Sequence, residues 1–268
     1  MRSSVPAKTK GRRSHAESRH ASMTLILDCA EAEFAEKGYN GATLTSVAEL
    51  AGVDTSLMRY YFGDKERLFE AVFMRRAPAS NELRRHAMAQ YRESAGDNMT
   101  LEGIVDAFTR PVFELGANDQ GWRNYLAIVA YVSTSSGPMR TLMTQAFDDV
   151  SYEMIADIKR IIPDARDADI YWAYYFMSGS YTFSLGQTER IGVLSKGKIS
   201  ALDFAEIARR LPVFVGAGLR AMFEVGPKLK KRPFRAMPKD ALRNELEDWQ
   251  RGYSQASSIT TIKPGRKR

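Results

Sequence analysis

With 268 residues, 44% hydrophobic and 26% charged, the chain can fill the core of one large domain or two modest ones and is not disordered along its whole length. No apolar run reaches the roughly 18–20 residues of a membrane span, and one cysteine (Cys29) with three histidines excludes a disulfide framework and a multi-cysteine metal site. The net charge of +7 is uneven: residues 1–20 carry six Lys/Arg against one acid, residues 228–268 twelve against four, and residues 21–227 twenty-one against twenty-seven.

The first 20 residues, rich in Ser, Lys and Arg, read as a disordered basic arm with no apolar stretch behind it to form a signal peptide, so a cytoplasmic, nucleoid-associated protein is expected. Met23, Ile26, Leu27, Ala30 and Phe34 then recur on one face of a helix over 21–37, which Gly38 ends. Asn40-Gly41 marks a tight connection. Thr43 is placed to cap a short helix over 44–51, with Leu44, Val47, Ala48 and Ala51 inward. Gly52-Val53 turns the chain, and Asp54 caps a second short helix over 55–62. A long helix runs from Lys65 to about residue 92, with Pro78 expected to kink it. Further helices fall near 100–117, 120–136, 139–161, 167–190 and 200–224. Beyond Pro227 the sequence turns basic, with one amphipathic piece over 240–251. No sustained period-two alternation is present, so the expected fold class is all-α.

Two short helices joined by a glycine turn have the spacing of a helix-turn-helix, in which the second helix offers its N-terminal residues to base edges. Thr55, Ser56, Arg59 and Tyr60 suit that task, and Lys65 opens the following helix, where a phosphate can be held. Spacing alone also fits a helical hairpin inside an ordinary bundle. The residues add more: 34–68, FAEKGYNGATLTSVAELAGVDTSLMRYYFGDKERL, closely resembles the N-terminal domain of the TetR family of bacterial transcription regulators. The matching elements are F-A-E-K-G-Y, V-A-x-x-A-G-V, an Asp cap and Y-F-x-x-K-E-x-L, and the resemblance covers about residues 21–75.

The resemblance implies that Thr43 and Thr45 contact phosphate, that Thr55, Ser56, Arg59, Tyr60 and Tyr61 lie on the recognition helix, and that Lys65 binds phosphate. Arg59 and Tyr60 depart from the residues usual there. Arg59 is suited equally to a bidentate contact with guanine and to a plain phosphate contact. Residues 21–92 hold nine Lys/Arg against ten acids, so long-range attraction to DNA is assigned to the arm, expected to lie along or in the minor groove. The C-terminal tail is either a second polyanion contact or a solubilising end.

Residues 100–224 are rich in aromatics and Met, and the resemblance implies a ligand-binding and dimerisation bundle. Most of these rings are core. The candidates for a cavity wall are Phe108, Phe113, Trp122, Tyr125, Phe147, Tyr175 and Phe176. Arg110-Pro111 is a second cue, since a proline can bend a helix around a cavity, and Arg123 or Asn124 is placed to meet a polar ligand head. The expected ligand is apolar or amphipathic, of fatty-acyl, aromatic or terpenoid class. The C-terminal half is similar to the subgroup that includes a fatty-acid-responsive repressor.

The helices over 167–190 and 200–224 are expected to build a homodimer through small residues such as Gly179 and Gly216 and apolar ones such as Phe204, Leu211, Phe214 and Leu219. Packing of those residues within one chain is the alternative. The resulting domain plan is a basic arm (1–20), a helix-turn-helix domain (21–75), a ligand and dimer domain (76–226) and a basic tail (227–268). No GxSxG, no Walker-type loop and no catalytic cluster argues for an enzyme. The expectation is therefore a homodimeric repressor without metal or cofactor, bound to a double-stranded pseudo-palindromic operator and released by a small molecule. A sequence-nonspecific architectural DNA binder, driven by the basic tails, is the rival reading.

Overall fold

The computed structural model describes residues 15–225, and every regular element among them is helical. The arm residues 1–14 and the tail from 226 onward, including the piece over 240–251, lie outside the described residues. None of the described helices is long and apolar enough to cross a membrane.

Helix α1 (His15–Gly41) starts six residues before the expected Ala21 and carries the stripe Ile26, Ala30 and Phe34 into the core. Gly38 adopts φ 68° and ψ 172°, so it kinks the element instead of ending it, a backbone turn that costs glycine no Cβ clash. Helix α2 (Leu44–Ala51) buries Val47, Ala48 and Ala51, and α3 (Thr55–Phe62) buries Met58 and Phe62. Helix α4 (Lys65–Ala95) follows without a break at Pro78, which sits on the exposed side, where solvent rather than a neighbouring helix meets the missing hydrogen bond.

A 3-10 turn (Gly96–Asn98) leads into the bundle: α5 (Leu101–Asn118), α6 (Gln120–Ser133), α7 (Pro138–Ile161), α8 (Asp167–Leu185), the short α9 (Arg190–Leu194) and α10 (Phe204–Val225). The expected 167–190 and 200–224 helices are thus shorter, with α9 between them. The long α4 packs against α1, α5 and α7, so one helix contacts both the N-terminal helices and the bundle. Helix α1 also packs on α6, and α10 lies along α5.

Two acidic side chains anchor α1 from inside. Glu31, 1% exposed, accepts from Arg75 at 2.8 Å and from both Nε and Nη2 of Arg76 at 2.8 and 2.9 Å. Arg76 in turn stacks on Trp122 of α6, 4.8 Å from the ring centre. Glu33, also buried, pairs with Lys37 at 2.7 Å. Burial resists its ionisation, but hydrogen bonds from Lys37 and Ser46 outweigh that and hold its carboxyl below the ordinary range.

Candidate functional site

The geometry of the α2–α3 pair is set locally. Thr43 Oγ1 accepts from the Ser46 N–H at 3.0 Å while the Thr43 N–H donates to Ser46 Oγ at 3.0 Å, a reciprocal cap on α2. Gly52 ends α2 with φ 63°, a left-handed turn open to a residue without Cβ, and Asp54 Oδ1 caps α3 by accepting from the Ser56 N–H at 2.7 Å. The Ser56 side chain and backbone, hydrogen-bonded to Asp54, hold that carboxyl below its usual range. With Met58 and Phe62 buried, the helical period turns Ser56, Arg59 and Tyr60 outward together. Tyr60 is 73% exposed, and Thr55 is half-buried at the start of the same face.

Around this face, Thr43 and Thr45 are exposed at the start of α2. Tyr61 is half-buried, with its ring edge-on to Tyr60 and Phe62. The guanidinium of Arg19 rests over the Tyr61 ring at 5.5 Å, so the first described turns of α1 join the α3 surface. The sequence reading placed Arg19 in the disordered arm. Its contact depends on the early start of α1, which local periodicity did not mark. Lys65 is not a free cation: its Nζ donates to the carbonyls of Tyr39 at 3.0 Å and Ala42 at 3.2 Å and sits over the Tyr39 ring. Its first task is to hold α4 against the end of α1, with one N–H left for a further acceptor.

In the bundle, a cavity of about 910 Å³ opens between α5, α6, α7 and α8. Phe108, Phe147, Tyr175 and Phe176 line it. The other three candidates do not. Phe113 is fully buried against Tyr181 and Phe204, and Tyr125 is fully buried between Phe73 and Trp122. Trp122 faces a separate shallow depression with Leu83 and Pro111. The Arg110-Pro111 cue fails for the same reason, and Arg110 is paired with Asp106. Arg123 and Asn124 also lie off the cavity wall: the Arg123 carbonyl accepts from Gln187, and Asn124 accepts from Gln120.

Among hydroxyl-bearing residues such as Ser151, Tyr174 and Tyr181, the charged group on the cavity wall is Arg84, from α4. It is 3% exposed, donates to Asn81 Oδ1 at 3.2 Å and to the Tyr181 hydroxyl at 2.6 Å, and its Nε has no partner. The signal for it was in the sequence: Phe73, Ala77, Ser80, Arg84 and Met88 form one buried stripe of α4.

The outward face of α8 is apolar as well. Trp172, Tyr175, Phe176 and Phe183 are exposed, while Ile170, Ala173, Met177 and Tyr181 face the core. On α10, Val213 and Phe214 are exposed, but Phe204, Ala208, Leu211 and Leu219 are buried within the chain, and Gly216 lies hard against Glu102. Those α10 residues therefore belong to packing within one chain, the alternative left open by the sequence.

Comparison with known proteins agrees with this layout. A family model described as bacterial regulatory proteins, tetR family, matches residues 26–72, and one described as Tetracyclin repressor-like, C-terminal domain, matches residues 106–218. The HTH-type transcriptional regulator RutR of Escherichia coli K12 is 45% identical over 65 residues, 24% of this chain and 30% of that protein. The fatty acid degradation regulator FadR from Bacillus halodurans superposes with a TM-score of 0.50 at 17% identity, covering 74% of this chain and all of that one. FadR from Bacillus subtilis, solved with stearoyl-CoA, gives 0.50 at 16% identity, over 73% and 98%. These two structures share the fold. Together, the two family models cover both the helix-turn-helix and the bundle, and the chain belongs to the TetR family of bacterial regulatory proteins.

Proposed function

We propose that this chain is a homodimeric transcription regulator that represses by binding a pseudo-palindromic DNA operator through α3 and is released by an apolar or amphipathic small molecule. The observation that carries the reading is the outward face of α3. Ser56, Arg59 and Tyr60 project together from a helix fixed at both ends by Asp54 and Gly63, and Thr43, Thr45, Tyr61 and Lys65 surround it with phosphate donors. In this reading, residues up to about 75 contact DNA, and those beyond bind ligand and the second subunit.

The dimer is supported by α8, which is apolar on both sides. A helix apolar all round is normally buried, and its exposed aromatics, of which Tyr175, Phe176 and Phe183 also line the cavity, are with Val213 and Phe214 of α10 the candidate surface for a second copy. Gly179 and Gly218 have open space above them, which allows close approach. One recognition helix reads few bases, whereas a two-fold pair reads two half-sites about one DNA turn or a multiple apart.

Helix α4 supplies the link between sites. It begins at the α3 surface with Lys65, is tied to α1 by Arg75 and Arg76, and reaches the cavity at Arg84, about 12 Å beyond Arg76 at the helical rise. A ligand that favours one position of α4 shifts the spacing of the two recognition helices, and a coupling of roughly 1–3 kcal/mol gives a graded response.

The test is fluorescence anisotropy with a labelled duplex from the intergenic region beside the protein's own gene, in excess random competitor and at several salt concentrations. The reading requires operator preference of about a thousandfold or more. Binding that disappears into competitor at every salt supports the architectural alternative instead. In sedimentation, Phe214→Asp should give a folded monomer with weakened operator binding; an unchanged dimer would place the interface elsewhere.

A further inference from the structure

Four charged side chains are buried among the described residues: Glu31, Glu33, Arg84 and Asp157. Glu31 meets Arg75 and Arg76, Glu33 meets Lys37, and Asp157 meets Arg92 at 2.7 Å. Arg84 alone has no opposite charge: no carboxylate of the described residues lies within ion-pair distance. Its environment is aromatic, with the guanidinium 4.8 Å from the Phe108 ring, 5.3 Å from Phe147 and 5.6 Å from Tyr181. Ring faces moderate the charge but do not neutralise it, and a buried cation without a counterion is costly to keep. It is kept on the wall of the mostly apolar cavity of about 910 Å³ in the bundle.

We infer that the cavity takes an apolar carboxylic acid, with its carboxylate seated on Arg84 and Tyr181 and its hydrocarbon or aromatic body among the rings of α5, α7 and α8. The inference rests on the ligand-responsive reading above and names the class of ligand. The guanidinium fork matches a planar carboxylate, and its unpartnered Nε is a donor aimed at no group of the protein. The Tyr181 hydroxyl accepts from Arg84 and keeps its own proton to donate to the second oxygen. One monoanion balances the single buried cation, whereas a phosphate dianion would leave a negative charge uncompensated in the same apolar wall.

The experiment uses the full-length protein and two matched pairs of probes: dodecanoate against 1-dodecanol, and 4-phenylbutyrate against 4-phenyl-1-butanol. Calorimetry is run below micelle-forming concentrations. At least one acid should bind about tenfold or more tighter than its alcohol. In Arg84→Met that preference should vanish while alcohol binding persists, and the ligand-free variant should melt no lower than the wild type, because an unpaired buried cation has been replaced by an apolar side chain of similar volume. Equal binding of acid and alcohol, no binding of either acid, or a preference that survives in Arg84→Met overturns the assignment. Should Arg84→Met not fold, Arg84→Lys decides: it must reduce the acid preference severalfold with alcohol binding unchanged, and an undiminished preference overturns it. Operator binding is measured on the same samples without probe. Its absence in the wild type sinks the regulator reading itself, whereas intact operator binding without acid preference sinks only the seat at Arg84.

Discussion

At residues 75 and 76, α4 meets a buried carboxylate with two guanidinium groups, whereas about two turns further on it buries Arg84 among aromatic rings with no carboxylate. In the first arrangement the charges are matched, by Glu31 for both guanidinium groups and by Asp28 for Arg75 as well. Glu31 is bound by three N–H donors, and Arg76 carries the tie on to Trp122, so α1, α4 and α6 are held together. The second lacks a counterion and faces a cavity. The contrast is one of charge matching along a single helix: the charge that joins elements is matched inside the chain, and the charge on the cavity wall, the proposed ligand seat, is left unmatched.

The largest expected effect breaks the matched site. Glu31→Gln should destabilise the fold by about 3 kcal/mol, because it leaves the partly buried Arg76 without a carboxylate and Arg75 with Asp28 alone. A thermal melt checks this, and a loss below about 1 kcal/mol would make Glu31 no more than a surface ion pair. Next comes a change where charge faces outward. Arg59→Ala should weaken operator binding by about tenfold or more while leaving the melt unchanged, because the side chain is exposed. Equal weakening on random duplex would assign Arg59 to phosphate instead of a base.

Thr43→Ala removes the reciprocal cap on α2 and should cost about 1 kcal/mol in a denaturant titration, with Thr43→Ser close to neutral. The smallest effect concerns acid. The Glu33 carboxyl lies below its ordinary value, so its stabilising contribution is complete above the unfolded pKa of about 4.3 and is lost as pH falls through the lower folded value. Melts from neutral to acid pH should show a shallower acid decline in Glu33→Gln than in wild type. Parallel curves would remove Glu33 from the account.

The α2–α3 pair was legible in the sequence because everything that shapes it is local. Thr43, Gly52 and Asp54 act within three or four residues of their own position, and the outward set Ser56, Arg59 and Tyr60 follows from the helical period once Met58 and Phe62 are inward. The cavity was half legible. Phe108 and Phe147 line it while Phe113 and Tyr125 fill solid core, although all four are buried aromatic residues on bundle helices. What separates them is which neighbours other helices bring, and no window of sequence contains that. The same limit applies to α10, where Phe204, Leu211 and Leu219 are covered by the chain's own packing and Phe214 is not. Arg84 differs in kind. A charged residue on an apolar stripe is visible in sequence, but its lack of a partner emerges only when every neighbouring helix is in place.

The most direct test is selection of binding sequences from a random duplex pool, with wild type and Arg59→Ala run in parallel. The account predicts that wild type recovers a near-palindrome of two half-sites spaced by about one DNA turn or a multiple, and that Arg59→Ala relaxes the choice at one position in each half. A pool that shows no enriched sequence with wild-type protein would contradict it.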